Sequence, residues 1–94
     1  MVKRIGFTVS GRVQGVSFRY FTQKKAKSYG IIGWVRNRDD GKVEGEAQGP
    51  SSEIEKLVGD LKKGPQHAHV TDYEERNLDI KNDGEKEKNF DVVK

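Results

Sequence analysis

Ile5-Gly6-Phe7-Thr8-Val9-Ser10-Gly11-Arg12-Val13-Gln14-Gly15-Val16-Ser17-Phe18-Arg19 changes its periodicity part-way through, and that change decides the fold. Ile5, Phe7 and Val9 alternate with Gly6, Thr8 and Ser10, the period-two pattern of a half-buried strand, and the strand stops at Gly11. From Ser17 to Tyr29 the apolar positions Phe18, Phe21, Ala26 and Tyr29 recur at roughly helical spacing. Gly30 stands where a helix ends. A strand therefore passes through a glycine-containing bend into a helix.

Beyond that helix, Ile31 to Arg38 is rich in branched and aromatic residues, and Asp40-Gly41 supplies a tight hairpin signal before Lys42 to Gln48. In the second strand Val43, Gly45 and Ala47 share one face while Glu44, Glu46 and Gln48 share a wet one. Ser52 with Glu55 has the form of a capping box, and Ile54, Leu57, Val58 and Leu61 make an apolar stripe that ends before Gly64-Pro65. Gly59 inside this helix costs about 1 kcal/mol relative to alanine, so the helix depends on packing. His67 to Leu78 reads as a weakly patterned strand, Asp79 to Asn89 as a polar turn-prone stretch around Asn82-Asp83-Gly84, and Phe90 to Val93 as a short final strand. The order is βαββαβ with an extra C-terminal strand. Two βαβ-like halves with one solvated face predict an α+β, ferredoxin-like two-layer sandwich, an antiparallel sheet carrying two helices on one face.

Length and composition bound the function. The 94 residues accommodate one core, so residues 1–94 are expected to form a single domain. Hydrophobic residues make up 32% and charged residues 35%, with both signs interspersed, which describes a solvated surface. The net charge of +3 mildly favours anionic ligands and is too weak to single out nucleic acid; a phosphate-sized anion is enough. With no cysteine, the chain has no disulfide, thiolate nucleophile or Cys-ligated metal, and a cytosolic location is expected. Met1 to Ile5 enters the first strand without the apolar stretch of a secretory signal, and no segment reaches membrane-spanning length.

The bend is where an anion would bind. A helix N-terminus leaves four backbone N–H groups without intrahelical partners and carries a partial positive charge, so a loop curling there can enclose phosphate oxygens. Arg19 follows in the first helical turn, where helical side chains lean back toward the N-terminus. Its planar fork of donors matches two phosphate oxygens and keeps its charge when partly desolvated. Topology supplies a second candidate. Strands one and two run in the same direction, so Asn37 at the end of strand two shares a sheet edge with the bend across roughly 10 Å, two strand spacings. A carboxamide is no base, but it can orient a water by donating to it and accepting from it.

Gly11 to Arg19, together with Gly30-Ile31-Ile32-Gly33-Trp34-Val35-Arg36-Asn37-Arg38-Asp39-Asp40-Gly41-Lys42-Val43-Glu44, resembles the two signature stretches of acylphosphatases, with Ala26 and Gly49 also in place. The match is densest from Gly11 to Gly49 and extends more loosely over the whole chain. The resemblance implies hydrolysis of a carboxyl–phosphate anhydride to a carboxylate and inorganic phosphate, with no metal and no cofactor. It implies that Arg19 binds the phosphoryl group, that Asn37 positions the attacking water, and that the backbone of Gln14, Gly15, Val16, Ser17 and Phe18 forms the phosphate cradle. The partners that follow are a small acyl phosphate as substrate and inorganic phosphate as product and inhibitor, without nucleic acid or membrane, for a monomer.

Other readings of the same residues exist. A non-catalytic phosphate- or RNA-binding ferredoxin-like module is the alternative; RNA binding on such a sheet needs exposed aromatics on the central strands, a pattern absent from this sequence. A regulatory unit that keeps the anion site, like the acylphosphatase-like domains of larger maturation proteins, is a third reading, which the short chain disfavours. His67 and His69, two apart on the fourth strand, would share a face but lack further ligands for a metal. Ser10, Ser17 and Thr22 lack a nucleophile elbow or a nearby histidine. Trp34 and Phe18 are expected to pack in the core or at its rim, without a catalytic role.

Overall fold

Ile5, Phe7 and Val9 reach 0% exposure in the first strand of a five-stranded sheet, described here from a computed structural model over residues 1–15, 17–81 and 88–93. The elements are β1 (Val2–Arg12), α1 (Phe18–Ser28), β2 (Ile32–Asn37), β3 (Val43–Pro50), α2 (Ser51–Lys63), β4 (His69–Leu78) and β5 (Phe90–Val93). The strand order is β4-β1-β3-β2-β5. The antiparallel sheet anticipated from the sequence holds for β4, β1, β3 and β2, and β5 adds to β2 in parallel, so the whole sheet is mixed. The parallel pairing follows from where β5 begins: Phe90 lies beside Gly33, at the start of β2, so both strands run the same way. The turn-prone segment around Asn82-Asp83-Gly84 lies outside the described residues.

Register places the core. Phe7 pairs with Gly45, Gly45 with Val35 and Val35 with Val92, while Ile5, Ala47, Gly33 and Phe90 form the neighbouring row. Directly opposed residues share a face, so these rows meet the helices. There Ile54, Leu57 and Leu61 of α2 and Phe18 and Ala26 of α1 join them in one buried cluster. The same register aligns Val9, Val43 and Asn37. Asn37 therefore belongs to the helix-bearing face, at its end nearest the start of α1.

Helix ends show what the local sequence does. At the end of α1, Ile31 N–H donates to the Ala26 carbonyl and Gly30 N–H to that of Lys27, the paired bonds of a Schellman stop around Gly30. The capping box anticipated at Ser52 and Glu55 does not form. The N-cap of α2 is Pro50, two residues earlier, and it makes no side-chain cap. The start of β1 supplies the acceptor instead, since Ser51 N–H donates to the Met1 carbonyl at 2.7 Å and the Ser51 hydroxyl to the same oxygen at 3.1 Å. The hairpin at Asp40-Gly41 closes through Arg38 N–H to Lys42 O at 2.7 Å and Gly41 N–H to Arg38 O at 3.2 Å, a three-residue loop.

The strand expected to be half-buried is covered on both faces. Arg4 is only 3% exposed on the side away from the helices, paired to Glu46 at 2.7 Å and donating to Gln48 at 3.2 Å. Gln48, expected on a wet face, is 9% exposed and exchanges two hydrogen bonds with the Lys81 backbone. The Arg76 guanidinium lies over Gly6. Long polar side chains cover this face with their stems and satisfy their heads among themselves. His67 sits in a turn before β4 rather than in the strand, so the two-apart spacing to His69 does not put the pair on one strand face.

Two glycines make opposite predictions. A Cβ at Gly45 would run into the Trp34 carbonyl oxygen and lie 2.6 Å from the Phe7 ring, whereas a Cβ at the exposed, helical Gly59 meets nothing within 4 Å. Gly45→Ala is expected to lose about 1–3 kcal/mol by overpacking. Gly59→Ala is expected to gain about 0.5–1 kcal/mol from helix propensity. Urea unfolding midpoints read both, and a Gly45→Ala midpoint at or above the parent value contradicts the close approach.

Candidate active site

Between β1 and α1 the chain is pinned at two buried side chains, Val13 and Phe18, each 1% exposed. The ladder from β1 to β3 ends at Val9 and Val43, while β1 continues beside β4 through an irregularity between Ser10 and Gly11. This turns the strand away from β3 and opens space at its end. Gly15 has φ +76°, a conformation a side chain rarely adopts, and Ser17 at the helix N-cap has φ 62° and ψ 24°. A left-handed non-glycine residue costs of order 1–2 kcal/mol and persists only where its surroundings enforce it. Here burial of Phe18 in the next position provides that enforcement.

Helix α1 opens with the bond from Phe21 N–H to Ser17 O, so the amides preceding Phe21 in its first turn lack intrahelical acceptors. No acidic side chain occupies that turn. The partial positive charge of the helix end is therefore unopposed from within the turn. Arg19 and Asn37 line one cavity of about 250 Å³ together with Val13, Gly15, Ser17 and Phe18, and the half-exposed Tyr20 completes it. Arg19 donates from Nη1 to the Val93 carbonyl at 3.2 Å, and one helical turn later Gln23 donates from Nε2 to the Phe90 carbonyl at 2.9 Å. Strand β5 thus anchors the exposed edge of α1 at two points.

Of the residues singled out from the sequence, Arg19, Asn37, Gly15, Ser17 and Phe18 come together around this cavity. Phe18 has its side chain buried, which leaves its backbone to face the bend. Val16 lies outside the described residues. Gln14 does not line the cavity; its side-chain amide reaches the hairpin, donating to Arg38 O at 2.8 Å and Lys42 O at 3.0 Å. Sequence reasoning missed that clip, the Val93 carbonyl beside Arg19, and Tyr20. Only Tyr20 carried a readable signal, as an aromatic next to the arginine on a solvent-facing part of α1. Trp34 is half-buried on the sheet face away from the helices, with the Arg36 guanidinium 5.6 Å from its ring centre. Among the described residues no group of three or more histidine, aspartate or glutamate side chains is placed to hold a metal ion.

Comparison with known proteins identifies the family and the fold. The acylphosphatase family model matches residues 5–92. An acylphosphatase of Oceanobacillus iheyensis is 46% identical over 78 residues, covering 82% of this chain and 86% of the relative. The crystal structure of the Bacillus subtilis acylphosphatase superposes with a TM-score of 0.90 at 37% identity, covering 100% of each chain. Full-length HypF, in a phosphate- and nucleotide-bound form, contains a similar unit: TM-score 0.87 and 26% identity, covering 100% of this chain and 12% of that one. A bend of amides, an arginine and an asparagine around one cavity thus sit in a chain that matches the family along nearly all its length, and the chain belongs to the acylphosphatase family, whose members hydrolyse acyl phosphates.

Proposed function

We propose that this chain hydrolyses small acyl phosphates by direct attack of water on phosphorus, without a metal or cofactor. The observation that carries the reading is the shared cavity of Arg19, Asn37 and the bend at the N-terminus of α1. In this reading the phosphoryl oxygens accept from the free amides of the bend and from the Arg19 guanidinium, which meets two of them in its plane. Asn37 holds a water by its carboxamide on one side of phosphorus. The water oxygen forms the new bond to phosphorus, the bond to the acyl oxygen breaks, and its electron pair leaves with the carboxylate. A phosphoryl oxygen takes the water's proton, since no basic side chain is assigned to that task. An acyl phosphate already has a good leaving group, so positioning and charge stabilisation are the contributions required of the protein.

The grip on the phosphoryl end alone makes inorganic phosphate a product and a competitive inhibitor. The cysteine-free composition fits a cytosolic enzyme, and we take the chain to act as a monomer. The alternative of an RNA-binding sheet is disfavoured by the face away from the helices, where Glu44 and Glu46 lie in the rows that single-stranded bases would stack upon. The likeness to one portion of HypF shows that this architecture also occurs inside a larger protein, so turnover by this chain is the property to measure.

Benzoyl phosphate in EDTA is expected to be hydrolysed, and reaction in ¹⁸O-labelled water is expected to place the label in phosphate rather than benzoate. Label in benzoate would mean attack at carbon and would overturn the mechanism. Arg19→Lys and Asn37→Ala are each expected to remain folded and to lose about 10²–10³ in kcat/KM, the scale of removing one preorganised charge-stabilising or positioning group. Near-normal turnover by folded Asn37→Ala would remove its assigned role. Activity abolished by EDTA would point to a metal-dependent reaction.

A further inference from the structure

We infer that Gln14 is a positioning residue that holds Asn37 at a fixed distance from the phosphate-binding bend, an inference that rests on the proposed role of Asn37. Gln14 precedes Gly15, which lines the cavity, and its side-chain acceptors lie on residues flanking the last rung of the hairpin. That rung is the pairing of Asn37 with Val43. Arg38, the residue after Asn37, and Lys42, the residue before Val43, each offer a carbonyl to the same Nε2, at 2.8 and 3.0 Å. Both carbonyls also accept hairpin bonds, Lys42 O from Arg38 N–H and Arg38 O from Gly41 N–H. One side-chain nitrogen is thus built into the closure of the turn that carries Asn37.

The need for such a clip follows from the ladder. Strand β1 is bonded to β3 only as far as Val9 and Val43, after which it turns toward β4. Beyond that rung the exposed tip at Asp39, Asp40 and Gly41 has lost its neighbouring strand, while the bend stays anchored by buried Val13 and Phe18. The tip is the part free to shift, and Gln14 ties it back across the gap. The chemistry selects glutamine: two protons on one uncharged nitrogen meet two carbonyls, glutamate offers no donor when ionised, and asparagine is one methylene shorter. A displacement of about 1 Å between water and phosphorus costs on the order of 10² in rate, so a lost clip should act on turnover.

The test uses Gln14→Met, which keeps length and bulk but donates nothing, with Gln14→Glu as a second variant. Each is expected to lower kcat by about tenfold or more, while inhibition by inorganic phosphate changes by less than about threefold, because the bend and Arg19 hold the anion. In an Asn37→Ala background Gln14→Met should cause almost no further loss, since a residue acting through Asn37 has nothing left to position. In the unmodified protein the Gln14 side-chain amide protons should exchange slowly with solvent. Wild-type kcat in Gln14→Met, a full additional loss on top of Asn37→Ala, phosphate inhibition weakened in parallel with kcat, or fast exchange of the Gln14 amide would each overturn the inference. Turnover lost in Asn37→Ala but intact in Gln14→Met sinks this inference alone; turnover intact in Asn37→Ala sinks the reading beneath it, and this inference with it.

Discussion

Burial of Val13 and Phe18 on either side of a short bend is the constraint on which the candidate active site depends. Each side chain enters the core shared by the sheet and both helices, so the chain is held by apolar packing on both sides of the bend. That is how a serine at φ 62° is tolerated where a helix begins. The cost of the conformation is met by apolar packing of the kind that holds the whole domain together. In the proposed mechanism the first-turn amides at the positive end of α1, which have no intrahelical acceptor, face the phosphoryl group. Donors held in place before a charge develops stabilise it without a reorganisation cost.

Around the bend the other elements act as braces. Strand β5 is only four residues long, yet it buries Phe90, and its Val93 and Phe90 carbonyls receive Arg19 and Gln23 from successive turns of α1. On the opposite side the hairpin tip is reached by Gln14. The face of the sheet away from the helices is occupied by charged groups that satisfy one another, including the nearly buried Arg4 with Glu46 and Gln48. The cavity of Arg19 and Asn37 lies elsewhere, at the end of the strands beside the start of α1.

Much of this was legible from residue order. The switch from alternation in Ile5 to Val9 to helical spacing after Ser17, the hairpin glycine and the stripe from Ile54 to Leu61 predict the element order, and the parallel course of β1 and β2 brings Asn37 to the edge where Arg19 sits. What escaped were interactions whose partners are backbone atoms far away in sequence. No local pattern announces that Met1 O caps α2, so the Ser52-Glu55 motif was read as a cap that the fold does not use. No pattern announces that Gln14 seeks two carbonyls 24 and 28 residues away, or that Arg4, in a strand that alternates cleanly from Ile5, is buried among polar partners. Carbonyl groups are the same at every position, so such contacts depend on tertiary placement alone.

In the proposed function the amides of the bend and Arg19 bind the phosphoryl oxyanion. An NMR titration of the ¹⁵N-labelled protein with inorganic phosphate tests it most directly. The largest saturable shifts are expected on the amides of Gly15, Ser17, Phe18 and Arg19, with the Arg19 guanidinium and the Asn37 side-chain amide moving at the same phosphate concentration. Shifts centred on the lysines of the groove between the helices, Lys25 and Lys63, with the bend unchanged, would contradict it.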